Sequence, residues 1–333
     1  MIKLYEKVFN VDIIQWDRII SSSFCASFFQ TKTCYDFYGS LSLLNPFIFS
    51  VTESDVLKGI VVGYIQKETN PIKQYFSKRA VITGGVLLAD DISDSALESL
   101  LNFCKRKLKK EAIYIECRNF NSYSKLKNVF ELCEFKYIPH LNFHIDTTSL
   151  EIVNNNIGKS RKRDIKLSLR EGAVIIDNPS LEDVRAFYLI LDDLYKQKIK
   201  TPLFPWIFFE KLFTSTIGKF MLVKYKGQVI GGTICVGLEN KVLYEMFACG
   251  LDGKFKNIYP STLATWAGIE YAATHNYYRF DMMGAGKPDE SYGVRDFKAK
   301  FGGELVEHGR FLCVLHPLLY QIGKFGLSIL KRI

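Results

Sequence analysis

The chain has 333 residues, of which 48% are hydrophobic and 24% charged, which excludes a disordered protein and supplies apolar material for two domains of ordinary size. The 44 lysines and arginines exceed the 35 aspartates and glutamates, and the net charge of +9 favours polyanionic partners such as tRNA, nucleotide-linked sugars or an anionic membrane face. There is no apolar leader and no run of 18 uncharged apolar residues, so we expect a cytoplasmic protein rather than a secreted or membrane-spanning one.

The first half of the chain predicts helices followed by alternating strands and helices. Residues 11–44 have amphipathic helical spacing in two pieces, and residues 46–51 and 56–64 predict a hairpin around a polar turn. Five further elements, in the order strand, helix, strand, helix and strand, are predicted over residues 79–87, 93–108, 113–117, 126–130 and 137–145.

The densest basic run of the chain follows, at residues 157–172, and predicts a linker helix. Ile165 and Leu169 share one face of this helix, so it can pack and still present charge. One interpretation is contact with the phosphates of a polyanion, and the other is a solvated linker. The candidate polyanion-binding residues are Arg161, Lys162, Arg163 and Lys166.

The second half repeats the order of elements seen in the first. Its helices and strands are predicted over residues 183–197, 220–225, 229–238, 242–248, 263–274 and 278–283. Aligning the two hairpins pairs Gly59 with Gly231, an offset of 172 residues, and aligning the later strands pairs Glu116 with Asp281, an offset of 165. These offsets predict two copies of one α/β unit, an N-terminal domain over 1–150 and a C-terminal domain over 151–333.

The strand at 278–283 opens into a basic loop. Gly284 and Gly286 release the backbone into conformations that other residues avoid. Ligands of open α/β sheets bind at such strand ends, and positive charge would be placed there by Lys287, Arg295, Lys298 and Lys300. The alternative is a solvated basic loop after a core strand.

The C-terminal tail, residues 316–333, is apolar with a basic end. It can lie on an anionic membrane, giving peripheral contact with the inner membrane face, or it can form a terminal helix docked on the second domain. Gly323 and Gly326 weaken a helix here.

Cysteine and histidine spacing gives no metal site. The eight cysteines contain no C-x-x-C pair, so we expect reduced and mostly buried thiols. The five histidines show no clustered zinc spacing. His140 and His144 share one face of a predicted strand, but without a third ligand they are expected to be surface or packing residues.

An acyl-CoA-dependent acetyltransferase would hold its pyrophosphate between the strand at 242–248 and the following helix, on a glycine-rich loop. The corresponding segment, residues 254–262, contains no glycine after Gly253. CoA would therefore be held poorly, and Pro260 is explained as ordinary helix initiation.

Four motifs together resemble the FemAB/FemX family of non-ribosomal peptidyltransferases. They are Asn-Ile-Tyr-Pro at 257–260, Trp-Ala-Gly-Ile-Glu-Tyr-Ala at 266–272, Phe-Asp-Met-Met-Gly at 280–284 and Phe-Lys-Ala-Lys-Phe at 297–301. The resemblance implies an α/β (α+β) fold of two tandem GNAT-like domains, each a mixed twisted sheet flanked by helices. It also implies transfer of an amino acid from aminoacyl-tRNA to the amine of a peptidoglycan precursor.

The resemblance also implies site residues. Phe297 and Lys298 match the family's Phe-Lys pair, in which the lysine is implicated in stabilising the transition state; an ammonium in a water-poor cleft can stabilise the oxyanion formed when an amine attacks an ester. Asp281 or Glu116 can accept the proton of the attacking amine, or substrate groups can do so instead. The alternative for the two carboxylates is a structural ion pair, of Asp281 with Arg279 or of Glu116 with Arg118. The candidate substrate-binding residues are Arg295, Lys287, Gly284, Tyr259, Glu116 and Arg118.

The sequence thus predicts a FemAB-like acyltransferase that forms an amide on a cell-envelope precursor, with aminoacyl-tRNA as the favoured donor and no bound cofactor. The acceptor can be a nucleotide- or lipid-linked amino sugar or peptide, because no counterpart of the basic residues that hold a precursor diphosphate is found near Lys32 or in residues 201–205. One alternative is an acyl-CoA-dependent GNAT N-acyltransferase acting on an amino sugar in surface polysaccharide synthesis. The other is a non-catalytic RNA- or membrane-binding module.

Overall fold

The strands of the protein form two mixed sheets, one in each of two compact units. The structure is a computed structural model that describes residues 1–7, 10–66 and 78–330. The first unit comprises residues 1–140 together with the segment from 307 onward, and the second comprises residues 141–306. Two mixed sheets flanked by helices confirm the predicted α/β class.

The first sheet has eight strands in the order β1-β2-β3-β4-β6-β15-β7, with β5 beside β3. β4 and β6 run parallel, whereas β15 runs antiparallel to both of its neighbours. Its strands are β1 (Ile2–Tyr5), β2 (Leu44–Glu53), β3 (Val56–Gln66), β4 (Arg79–Gly84), β5 (Leu87–Leu88), β6 (Tyr114–Asn119), β7 (Lys136–Ile138) and β15 (Arg310–Val314). The α-helices of this unit are Ile13–Ser22, Lys32–Ser40, Asp94–Leu108, Lys127–Leu132 and Pro317–Leu330.

The second sheet has seven strands in the order β14-β8-β13-β12-β11-β10-β9. β12 and β13 run parallel. Its strands are β8 (Leu141–Asp146), β9 (Val174–Ile176), β10 (Lys219–Tyr225), β11 (Gln228–Leu238), β12 (Val242–Gly250), β13 (Arg279–Asp281) and β14 (Glu304–Glu307). The α-helices of this unit are Leu150–Asn156, Lys159–Arg170, Leu181–Leu194, Trp206–Thr214, Pro260–Thr274 and Gly293–Ala299.

The pairing of the strands confirms the internal repeat. In the first hairpin Gly59 faces Val51, and a β-bulge follows at once; in the second, Gly231 faces Val223, and a β-bulge again follows. A Cβ atom at Gly231 would lie 2.8 Å from the carbonyl oxygen of Cys249, so this strand approaches its neighbour as only glycine permits. The two copies therefore share their register as well as their order of elements.

Three predicted elements differ in the structure. The single strand predicted over 137–145 is two strands, β7 and β8, which belong to different sheets, because Pro139 cannot continue a hydrogen-bonded ladder. The predicted basic loop contains the helix Gly293–Ala299. The sequence predicts the tail as part of the second domain, whereas its helix belongs to the first unit. There Tyr320 contacts Tyr114, with ring centroids 5.2 Å apart. Residues 331–333 of the tail lie outside the described residues.

Each unit has its own apolar core, and the cysteines are part of them. In the first core Phe130 stacks on Phe311 with ring centroids 4.1 Å apart. All eight cysteines are buried, as predicted, and burial raises the pKa of their thiols, to about 12 for Cys34 and about 11 for Cys133. Over residues 1–7, 10–66 and 78–330, no helix has both the length and the apolar character needed to cross a membrane.

Candidate active site

The candidate site lies in the second unit, where β12 and β13 separate. The two strands pair from Val242 and Arg279 as far as Tyr244 and Asp281; β13 then ends, whereas β12 continues to Gly250. After β13 the backbone turns sharply, with positive φ angles at Met283 and at the two glycines that follow. The end of β13 therefore exposes backbone carbonyls that the sheet does not use.

Lys298 occupies this opening. It lies on the short helix Gly293–Ala299, and its Nζ donates hydrogen bonds to the carbonyl oxygens of Met282 and Gly284, the latter at 2.9 Å. An ammonium has three N–H donors, so one remains for a substrate. Burial lowers the pKa of Lys298, although the carboxylates of Glu245 and Asp281 oppose the shift. The sequence therefore placed its main catalytic candidate at a strand end, as the structure does.

Asp281 has no exposed surface and is held by three groups. Asn142 Nδ2 and the backbone N–H of Met283 donate to its Oδ1 at 2.7 and 2.8 Å, and Nε2 of His144 lies 3.0 Å from its Oδ2. Burial alone would raise the pKa of Asp281, but His144, Arg279 and these hydrogen bonds together lower it. A carboxylate held in this way fixes the loop after β13, and its role as a base stays a prediction.

Two polar residues of β8 lie beside Asp281: Asn142, which the sequence did not single out, and His144, which it predicts only as a surface or packing residue. Both lie on β8, and Asn142 Oδ1 accepts hydrogen bonds from the N–H groups of Phe143 and Gly284 at 2.8 and 2.7 Å. The signal in the sequence was their alternation with the apolar residues Phe143 and Ile145, which puts both polar side chains on one face of a strand.

Glu245 is a second buried carboxyl group that sequence reasoning missed. It is 5% exposed, and its Oε1 has no hydrogen-bond partner among the described residues. Burial raises the pKa of Glu245, opposed by the charge of Lys298 and by hydrogen bonds from Thr265 and Thr233. The sequence did contain a sign of it, because Glu245 is an ionisable residue within the apolar sequence of β12, and such a position points to a functional role.

The sequence predicts Arg161 as a polyanion contact, but its side chain is buried and holds neighbouring side chains in place; we call this arrangement the Arg161 clamp. It is only 9% exposed, and its guanidinium carbon lies 4.3 Å from the ring centroid of Phe297 and 5.2 Å from that of Phe301. Its Nη1 and Nη2 donate to Thr262 Oγ1 at 3.2 Å and to the carbonyl of Phe297 at 3.4 Å. Arg161 and Phe297 thus fix the helix that carries Lys298, while the other basic candidates, Lys162, Arg163 and Lys166, are exposed.

The other candidates of the loop have structural partners. Arg295 donates to the carbonyl oxygens of Ala285 at 2.9 Å and Pro288 at 3.4 Å, and also to that of Lys287, so it holds the loop in place. Lys287 itself forms an exposed ion pair with Glu290 at 2.7 Å. The carbonyl of Gly284 accepts from Lys298.

The N-terminus of the helix Pro260–Thr274 is occupied by the chain itself. The backbone N–H of Ser261 donates to Asp252 Oδ1 at 3.1 Å, that of Tyr259 donates to Ser168 Oγ at 2.9 Å, and Pro260 has no N–H. A carboxylate therefore already lies where a pyrophosphate would have to bind. This arrangement disfavours the CoA-dependent alternative, and Tyr259 contributes to it through its backbone.

Glu116 and Arg118 lie in the first unit, on β6. Glu116 accepts hydrogen bonds from Arg118 Nη2 at 2.9 Å and from Arg310 Nη1 at 2.6 Å. Burial alone would raise the pKa of Glu116, but the two guanidinium groups outweigh it and lower the pKa to about 2. A carboxylate with so low a pKa is a poor general base at neutral pH.

The low pKa of Glu116 makes the stability of the protein acid-sensitive. The pKa of Glu116 in the folded protein, about 2, lies below the ordinary glutamate value of 4.5. The ion pairs therefore stabilise the fold fully above about pH 4.5 and lose their effect as the pH falls towards 2. The loss amounts to about 3 kcal/mol. Urea unfolding between pH 6 and pH 3 should show about 2 kcal/mol of this fall in the wild type and less of it in Glu116→Gln; equal slopes in both would contradict the assignment.

Removing the Arg161 clamp should cost stability in the second unit. Arg161→Met keeps much of the aliphatic volume but loses the hydrogen bonds of the cation, and we expect a loss of about 2 kcal/mol in unfolding free energy. The exposed neighbour Lys162→Met is the matched control and should change it by less than about 0.5 kcal/mol. Equal effects of the two substitutions in chemical denaturation would show that Arg161 does not act as a clamp.

Comparison with known proteins places this site in context. Residues 217–325, which include β10 to β15, match the model of the FemAB family. No curated protein sequence matches the chain.

Several solved structures have a fold similar to that of this chain. The chain is similar to the crystal structure of FemX, with a TM-score of 0.72 and 14% identity over 96% of this chain and 99% of that one. It is also similar to a tandem GNAT protein from the clavulanic acid biosynthesis pathway, with a TM-score of 0.60 and 10% identity over 95% and 99% of the two chains. L-PGS from Bacillus licheniformis matches with a TM-score of 0.55 and 13% identity over 87% and 91%. At these identities the likeness establishes the tandem fold.

Proposed function

We propose that this chain, whose residues 217–325 match the model of the FemAB family, is an acyltransferase that transfers an aminoacyl group from aminoacyl-tRNA to an amine of a cell-envelope precursor. The observation that carries the proposal is Lys298, whose ammonium is fixed by two backbone carbonyls and keeps a third N–H for a ligand. The occupied N-terminus of the helix Pro260–Thr274 supports an ester of tRNA over a thioester of CoA as donor.

The chemistry follows from this arrangement. The amine attacks the ester carbonyl of the donor, a C–N bond forms, and negative charge builds on the carbonyl oxygen. Lys298 donates its remaining N–H to that oxygen, which lowers the barrier by about 3 kcal/mol. The C–O bond to the ribose then breaks, and the proton lost by the amine goes to the ribose oxygen. The acceptor amine and the leaving oxygen are both substrate groups, so the proton transfer requires neither Asp281 nor Glu116.

The proposed partners are molecules or surfaces that can bind the positive charge of the protein. The exposed lysines and arginines of the helix Lys159–Arg170 offer the tRNA a positive face. The acceptor is a nucleotide- or lipid-linked amino sugar or peptide. A peripheral contact with the inner face of the membrane remains a prediction for the tail helix, whose Leu318 is 81% exposed.

Donor discrimination tests the proposal. A ligand at about 100 times its dissociation constant should stabilise the purified protein by about 2.7 kcal/mol. We expect a pool of aminoacyl-tRNA to raise the melting temperature and uncharged tRNA or acetyl-CoA to raise it less. Stabilisation by acetyl-CoA alone would replace the proposal with the CoA-dependent reaction. If neither donor stabilises the protein, the non-catalytic alternative becomes the better explanation.

A further inference from the structure

Three arginines meet one carboxylate on the sheet of the first unit. Arg118 on β6 lies directly opposite Arg310 on β15, and both donate to Glu116 from either side. Arg79 starts β4, the parallel neighbour of β6, and its charge acts on both Glu116 and Arg310. By the strand register, all four side chains lie on the same face of the sheet. We call these four residues the arginine cluster.

The arginine cluster carries excess positive charge. Three guanidinium groups and one carboxylate leave two positive charges uncompensated within it. Burial and the charges of Arg118 and Arg79 lower the pKa of Arg310, and the carboxylate of Glu116 opposes this shift. Like charges directly opposite in a sheet destabilise it, so the chain maintains this arrangement at a cost.

The cluster also has a hydrogen-bond donor that the chain does not use. Nε of Arg118 is buried and has no hydrogen-bond partner among the described residues. Arg310 Nη2 lies 2.9 Å from Nε2 of His140 and, because arginine can only donate, this nitrogen is the acceptor. The side chains of Arg118 and Arg310 are each 31% exposed, so an outside ligand can reach them.

We propose that the arginine cluster is an oxyanion-binding site that takes a phosphate or carboxylate group of the acceptor. Guanidinium groups match the geometry of both oxyanions through paired hydrogen bonds. Tyr114 and Tyr320, in contact beside the cluster, give a neighbouring aromatic surface for the rest of the ligand. The assignment rests on the proposed function only in naming the acceptor as the molecule that carries the oxyanion.

Isothermal titration of the full chain with pyrophosphate and with malonate, at constant ionic strength, tests the site. Pyrophosphate stands for a nucleotide- or lipid-linked diphosphate and malonate for a peptide carboxylate. We expect saturable binding of at least one probe, and the tighter probe identifies the source of the oxyanion. Arg79→Gln should weaken binding about tenfold, because one positive charge is lost. Lys110→Gln, which removes an exposed charge from the same unit, should leave it unchanged.

Glu116→Gln should change the affinity for the probe in the direction opposite to that of Arg79→Gln. It removes the carboxylate that competes with the ligand, so we expect binding about tenfold tighter than in the wild type. If this variant does not fold, Arg79→Gln still decides. Absence of saturable binding by either probe, or equal affinity in Arg79→Gln and Lys110→Gln, would overturn the proposal. No donor or turnover is needed, so such a failure leaves the proposed transfer reaction to be judged on Lys298.

Discussion

Lys298→Ala is expected to lower the rate of aminoacyl transfer by about 100- to 1000-fold. This is the usual loss on removing one donor to an oxyanion, and the two carbonyls that fix the ammonium make its position independent of substrate. The effect should fall on kcat more than on KM, because the oxyanion exists only in the transition state. Single-turnover assays with aminoacyl-tRNA and an envelope precursor fraction would measure it.

Lys300→Ala is the matched control for this prediction. Lys300 directly follows the same short helix and its side chain is exposed, so its removal should leave the rate within about twofold of the wild type. Burial lowers the pKa of Lys298, so the alkaline loss of activity should begin below the ordinary lysine value near 10.4. A Lys298→Ala variant that folds normally and keeps the wild-type rate would remove the basis of the mechanism.

Asp281→Ala is expected to lower the free energy of unfolding by about 3 kcal/mol, because it removes the acceptor of two buried hydrogen bonds. The substitution removes the carboxylate that His144 and Asn142 contact, in a place with no exposed surface. It also frees the N–H of Met283, so the loop that presents its carbonyls to Lys298 should loosen and activity should fall with stability. Urea denaturation at pH 7 would give the first quantity.

The pH dependence separates the charge of Asp281 from its packing. Its folded pKa lies below the ordinary value near 3.9, so the charge stabilises the fold above that pH and ceases to do so as the pH falls through the lower, folded pKa. The difference between wild type and Asp281→Asn should therefore shrink in acid. Asp289→Asn, on the exposed part of the same loop, should show no such difference at any pH. A deficit of Asp281→Asn that is independent of pH would mean that shape alone matters.

The features that local sequence determines were predictable. The duplicated unit could be found because a glycine stands at the same place in both hairpins, and because alternating apolar residues mark each strand. The place of Lys298 beside this strand end could be anticipated, because a strand that ends in glycines leaves backbone carbonyls free to accept hydrogen bonds and because the residues around it resemble a family; its catalytic role stays a prediction.

The features that depend on distant pairing were not predictable. His144 meets Asp281 only because β8 joins the second sheet beside β13, and nothing local to β8 indicates that register. Arg161 cannot be told from Lys162 by charge pattern, because its burial depends on Thr262 and Phe297, far along the chain. The site residues that mattered most for geometry were thus fixed by topology.

The exchange of strands between the two halves of the chain also sets an order of assembly. β15 lies between β6 and β7 in the first sheet and contributes Phe311 to the core of the first unit. It is nevertheless synthesised after every residue of the second unit. During synthesis the second unit is complete once residue 306 has left the ribosome, while the unit begun first still lacks an inner strand. The half of the protein that is translated first is therefore the half that finishes folding last.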